Sequence, residues 1–210
     1  MTKLKNMLVF FLGIALALPS PSRAASAQTV HMQFKGLVAD ADFDTLDPSG
    51  CIETMVTLIA VNGSIKQDGG PIASSGVFMF ISQANNCTET QLILADESVP
   101  LSLGALNIDS SLKAAILKAT VDVTDLVSNA SLPIAISLTW TGSGQLANFE
   151  DHSNFRQPAF GFKSTVRNSG NFRPATATGS ITLNDEDLIS GASTGAELSS
   201  AKQGEVDISH

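Results

Sequence analysis

The sequence predicts an all-β fold: a single-domain antiparallel β-sandwich, Greek-key or jelly-roll-like, with little helix. Two observations carry this. Apolar residues recur with a period of two rather than 3.6, and short clusters of Gly, Pro, Asn and Asp punctuate the apolar runs. Half-buried antiparallel strands produce the first pattern, and the connections of a sandwich or barrel produce the second.

The chain opens on a segment of a different kind. Lys3 and Lys5 precede an apolar run from Leu8 to Leu18, followed by Pro19, Pro21 and Ala25-Ser26-Ala27. Residues 1–27 have the layout of a secretory signal peptide that is removed, with cleavage before Gln28. Its apolar run is too short to span a bilayer, which takes about 20 residues. The expected location is secreted, extracellular or periplasmic, with no transmembrane segment in residues 28–210, which form one domain.

Within that domain Val30 to Lys35 alternates apolar and polar residues and reads as the first strand. Asp40 to Asp47 reads as an acidic loop leaving it, and Asp47-Pro48-Ser49-Gly50 as a turn. Met55–Val61 and Val77–Ile81 are apolar on both faces, as central strands are. Asn62-Gly63 is a hairpin signal between them, and Asp68-Gly69-Gly70-Pro71 is another turn. Ser110 to Lys118, capped by Asp109 or Ser110, reads as a helical turn feeding the alternating strand Leu117–Val123. Ile134, Ile136, Leu138 and Trp140 share one strand face, which makes Trp140 a core residue. Gly142-Ser143-Gly144 and Asn168-Ser169-Gly170-Asn171 read as turns. Around the second, Phe160 and Phe162 are expected to point inward and Lys163 and Arg167 outward. Ala177, Gly179, Ile181 and Leu183 mark a late strand. Residues 185–203 read as a loose polar segment, and Gly204 to Ile208 as an edge strand.

Composition narrows the function classes. The full chain carries a formal charge of −8; losing Lys3, Lys5 and Arg23 leaves nine basic and twenty acidic residues, a charge of −11. Such a surface repels phosphate backbones, so nucleic acid is not an expected partner. Tyr is absent and Trp140 is the single Trp, so a stacking platform for sugars is poorly supplied. Cys51 and Cys87 are the two cysteines, and in an oxidising compartment they are expected to form a disulfide.

Charge is segregated along the chain. Asp40, Asp42, Asp44 and Asp47 crowd one stretch, and alternate carboxylates in a loop are the raw material of a Ca²⁺ site. An EF-hand counted from Asp40 would need Gly and Glu where Thr45 and Cys51 stand, so only a less regular site fits. Arg156, Lys163, Arg167 and Arg173 lie in a stretch free of acids and form a candidate ligand-binding set for carboxylate or phosphate. Catalytic signals are thin. No Gly-x-Ser-x-Gly elbow occurs, His31, His152 and His210 lack zinc-site spacing, and Gly-rich phosphate loops are absent. The expectation is an exported, non-catalytic binding or interaction module acting on a surface glycan or protein, with no required cofactor. Two alternatives remain: a secreted hydrolase using carboxylates such as Glu150 and Asp151, and a Ca²⁺-stabilised adhesive domain.

Overall fold

The computed structural model describes residues 28–67, 71–124, 126, 130–157 and 162–209, and the expected signal peptide lies outside them. The described residues hold strands and no helix. In chain order they are β1 (Gln28–Leu46), β2 (Ile52–Gln67), β3 (Pro71–Asn85), β4 (Thr90–Pro100), β5 (Leu106–Ile108), β6 (Ala114–Thr124), β7 (Ser131–Gly142), β8 (Ala147–Gln157), β9 (Phe162–Leu183), β10 (Glu186–Asp187) and β11 (Ser193–Ser209). All neighbours pair antiparallel, in the order β4-β3-β2-β1-β11-β9-β7-β6-β5, with β8 and β10 also on β9.

The all-β antiparallel expectation holds, but the core is enclosed by one continuous sheet instead of two separate ones. The long strand β9 makes this possible. Residues 163–175 pair with β11, and residues 175–183 pair with β7. β8 pairs with residues 162–172 of β9, so β7 and β8 run end to end along one of its edges. In the second half Gly179 adopts φ 137°, and a Cβ there would stand 1.9 Å from the Ser137 carbonyl oxygen, so only glycine fits. At its other end the sheet comes round on itself, where the Leu126 amide donates to the Leu94 carbonyl of β4 at 3.4 Å.

Period two explains which residues fill the interior. Ala39, Ala41 and Phe43 of β1, Leu58 and Ala60 of β2, Met79 and Ile81 of β3, and Leu198 of β11 line one wall. Leu117 and Val121 of β6, Ile134, Ile136, Leu138 and Trp140 of β7 and Ile181 of β9 line the facing wall. Trp140 is fully buried, and its indole N–H donates to the Asp40 carbonyl at 2.8 Å, tying β7 to β1. On the opposite face of β1 and β2, Val38, Ile59 and Val61 form a smaller apolar cluster with Phe34 and Phe78. That cluster accounts for the runs in β2 and β3 that are apolar on both sides.

Several local expectations are corrected. Asp40–Leu46 is strand, not acidic loop; only Asp47 lies in the turn, where its Oδ1 accepts from the Cys51 and Ile52 amides at 2.9 and 2.8 Å. Asn62-Gly63 and Asn168-Ser169-Gly170-Asn171 lie inside β2 and β9. There Gly63, Gly36, Ala201 and Gly170 fall side by side on four neighbouring strands. A Cβ on Gly63 would stand 2.5 Å from the Lys35 carbonyl oxygen, and one on Gly170 1.8 Å from that of Ser200. Close backbone approach, not turning, demands these glycines. Residues 68–70 and 158–161, with the expected turn and Phe160, lie outside the described residues, as does the side chain of Phe162.

Asp109 to Leu112 forms a single reverse turn between β5 and β6, with the Leu112 amide on the Asp109 carbonyl at 2.8 Å, and not a helical turn. Leu112 there has φ 57° and is buried in the core. The supposed loose segment 185–203 holds β10, buried Leu188 and Ile189, and half of β11. β11 is central, between β1 and β9, so residues 204–208 are not an edge strand.

Cys51 and Cys87 form the expected disulfide, joining the β1–β2 turn to the β3–β4 turn across 36 residues. In the chain-entropy model a loop of that size contributes about 4 kcal/mol. Reduction, or a Cys51→Ser/Cys87→Ser double substitution, is expected to shift the urea midpoint down while leaving the far-ultraviolet β spectrum in place. An unchanged midpoint would contradict this.

Candidate functional site

The core residues of β1, β2, β11 and β9 occupy only part of those long strands. Beyond Ala39 the same strands run on, joined by β8, as an extension whose core-side face is uncovered. His31, Gln33, Lys35, Lys66, Lys202, Arg167 and His152 are all exposed there. Three successive rows of that face can be read from the register. The first holds Lys66, Gln33, Gly204, Arg167 and His152; the second Ser64, Lys35, Lys202, Ser169 and Glu150; the third Asn62, Leu37, Ser200, Asn171 and Asn148.

Four cations thus share one face of an acidic protein. The carboxylate these rows contribute is Glu150, at the β8 margin, and it lies 3.4 Å from His152 Nε2. Among the residues whose side chains are described, no carboxylate stands within ion-pair distance of Lys35, Lys66, Lys202 or Arg167. Between the second and third rows lies a groove of about 540 Å³, lined by Lys35, Lys202, Ser64, Ser169, Ser200 and Asn62 over the floor of small residues at 36, 63, 170 and 201. In the lining, the Ser200 hydroxyl oxygen accepts from the backbone and side-chain amides of Asn171 at 3.3 and 3.5 Å, which leaves its own proton to donate.

The cations expected to bind a ligand are thereby sorted. Arg167 lies in the first row. Lys163 and Arg156 are register partners on β9 and β8, four residues along the ladder from the Arg167–His152 pair. Arg173 does something else: it sits in the Ala39–Leu198 row with its Nη1 3.5 Å from the Gly144 carbonyl, bracing the β7–β8 connection. Lys35, Lys66 and Lys202 were invisible as members of this set, being more than 100 residues from Arg167 in two cases and on other strands in all; only register unites them. The 35-residue step from Arg167 to Lys202 carries no motif.

The acidic residues are distributed otherwise than a metal loop requires. Asp40, Asp42 and Asp44 alternate along one face of β1, and Asp47 caps the following turn. Among the described residues no three His, Cys, Asp or Glu side chains converge as a metal-holding group. Glu150 and Asp151 are consecutive in β8 and so point to opposite faces of the sheet, which keeps them from acting on one bond. A different carboxylate pair does meet. Asp40 and Glu197 are direct cross-strand partners on the face of the smaller apolar cluster, beside Ile59 and Pro174. Loss of water pushes the Asp40 carboxyl up to about 7, with Glu197 and Asp42 adding repulsion, and pushes Glu197 up to about 7 as well. Asp42 instead accepts a hydrogen bond from Thr57 Oγ1 at 2.7 Å.

Known proteins add little to this geometry. No family model and no curated protein matches the chain. A solved structure of a protein provisionally named AttH, from Nitrosomonas europaea, is similar at 9% identity and a TM-score of 0.27 over 86% of this chain. The chain spans about half the length of that protein, 51%.

Proposed function

We propose that this chain is an exported, non-catalytic binding module of the periplasm or the medium, and that it engages an anionic surface polymer through the uncovered face of the β1–β2–β11–β9–β8 extension. The observation that carries the reading is the gathering of Lys35, Lys66, Lys202 and Arg167 on one open face of a protein whose net charge is −8. A sheet that needed only solubility would scatter its few cations among its many acids. Unpaired exposed cations gathered this way raise the local concentration of anions and speed their capture. The Cys51–Cys87 disulfide suits an oxidising compartment outside the cytoplasm.

The test is binding of the purified, oxidised protein to immobilised alginate, dextran sulfate and polyphosphate, with neutral dextran as the reference. At least one polyanion is expected to bind with an affinity that falls as salt rises. A Lys66→Glu/Arg167→Glu double variant should weaken that binding ten-fold or more with its melting temperature unchanged. Equal retention on neutral dextran, or full retention by the double variant, would rule the reading out.

A further inference from the structure

We infer that the groove on this face is a subsite for a phosphomonoester group, an assignment that rests on the reading of the extension as the binding surface. Its centre is the pair Lys35 and Lys202, directly opposed across β1 and β11. Like charges directly opposite one another destabilise a sheet, and no carboxylate whose side chain is described stands within ion-pair distance of this pair. Two ammonium groups anchored on facing strands are satisfied by a ligand that brings about two negative charges on one small group. A phosphomonoester does so near neutral pH, carrying about −1.5 to −2 on three acceptor oxygens. A carboxylate or a phosphodiester brings one.

The rest of the lining fits the same chemistry. Ser64 and Ser169 add hydroxyls, Asn62 adds an amide, and Ser200 presents a hydroxyl proton whose oxygen is already engaged by Asn171. Each can donate to a phosphate oxygen. No aromatic ring and no carboxylate lines the groove, so nothing in the lining stacks on a base or a sugar ring, and Glu150, the carboxylate of the same row, stands one strand beyond Ser169. At about 540 Å³ the groove exceeds a phosphate group, leaving space for the first residue attached to it. Lys66 and Arg167, one row further out, lie where a longer anionic ligand would continue.

The experiment is titration of the purified, oxidised protein with inorganic phosphate at pH 7.5, followed by amide chemical shifts, with acetate at matched ionic strength as the comparison. Phosphate is expected to move the amides of Ser64, Ser200 and Lys202 saturably, and acetate is not. Lys202→Gln and Lys35→Gln should each weaken the response ten-fold or more, Lys202→Arg should keep most of it, and Lys118→Gln on exposed β6 should leave it unchanged. Glucose 6-phosphate competing for the same amides would support the subsite with a soluble ligand. Competition only by vesicles of phosphatidic acid in phosphatidylcholine would support it with a lipid headgroup. Equal shifts with acetate, an unaltered response in Lys202→Gln, or competition by neither compound would overturn it. If polyanion binding is lost in Lys66→Glu/Arg167→Glu while Lys202→Gln leaves the phosphate response intact, the subsite falls and the binding module stands.

Discussion

Replacing Trp140 with Ala is expected to cost about 3–5 kcal/mol of stability, the range for emptying a large aromatic site. Trp140 is the largest fully buried side chain, and it stands where β7 faces β1 across the interior. Its removal leaves a void beside its register partners Ala115 and Ala177 that the neighbouring strands, fixed by ladder hydrogen bonds on both sides, have little freedom to close. The indole N–H also holds the Asp40 carbonyl at 2.8 Å, a contact separated by 100 residues of chain. Trp140→Phe separates the two contributions. It keeps most of the packing and loses the hydrogen bond, for which about 1–2 kcal/mol is expected, with some added for the volume lost. Urea denaturation followed by circular dichroism measures both variants. In the parent protein the single Trp makes fluorescence an independent probe, with buried, blue-shifted emission that moves to the red on unfolding. A cost below about 1 kcal/mol for Trp140→Ala would mean that the two walls of the core are not coupled through this residue.

Much of this core could be read from the chain because burial and strand period leave the same mark. Ile134, Ile136, Leu138 and Trp140 alternate with Ala135, Ser137 and Thr139, and the first set is buried while the second is exposed. The two cysteines likewise leave one pairing, which the structure contains. What misled was local chemistry overruled by distant neighbours. Asn62-Gly63 and Asn168 to Asn171 have the composition of turns, yet Gly63 and Gly170 lie in a row across four adjacent strands and sit where a neighbouring backbone approaches too closely for a Cβ. Alternating Asp residues at 40, 42 and 44 look like a loop, since three carboxylates on one strand face carry no apolar signal; the core signal lies in Ala39, Ala41 and Phe43 between them. β11 looked like a tail because Ser, Gly and Ala dominate it. A strand paired along both edges needs few large side chains when its partners supply them. The cationic face was half legible: Arg167 stood out in its segment, whereas Lys35, Lys66 and Lys202 join it only through register.

The acid pair on the other face of β1 makes a second large effect measurable. Asp40 and Glu197 face each other across the β1–β11 ladder with Asp42 next along the strand and the apolar side chains of Val38 and Ile59 beside them. No cation of the described residues pairs with either, so lost hydration dominates and both carboxyls rise to about 7 from ordinary values of 3.8 and 4.5. An acid whose folded-state pKa is raised binds its proton more tightly folded than unfolded. Below about pH 4 both states hold the proton and no cost is felt. Between about 4 and 7 the unfolded chain releases it first, so stability falls as pH rises, and above about 7 the whole cost is present. Asp47 and Asp109 are shifted the opposite way by hydrogen bonds, from Ser49 and Ser111 first of all, so their contribution is lost only in more acidic solution. The interval from pH 5 to pH 8 therefore lies above the range in which Asp47 and Asp109 act. One pKa unit corresponds to about 1.4 kcal/mol, but the two carboxyls repel one another and Glu197 keeps part of its water, so a net loss on the order of 1–3 kcal/mol from pH 5 to pH 8 is expected. Asp40→Asn should flatten most of that slope and make the protein more stable than the parent at pH 8, because an amide in the same place carries no charge to desolvate. Melting temperatures at half-unit steps across this interval decide the matter. A parent protein that is equally stable or more stable at pH 8, or an Asp40→Asn variant with the parent's slope, would mean that the pair keeps enough water to ionise as ordinary surface carboxylates do.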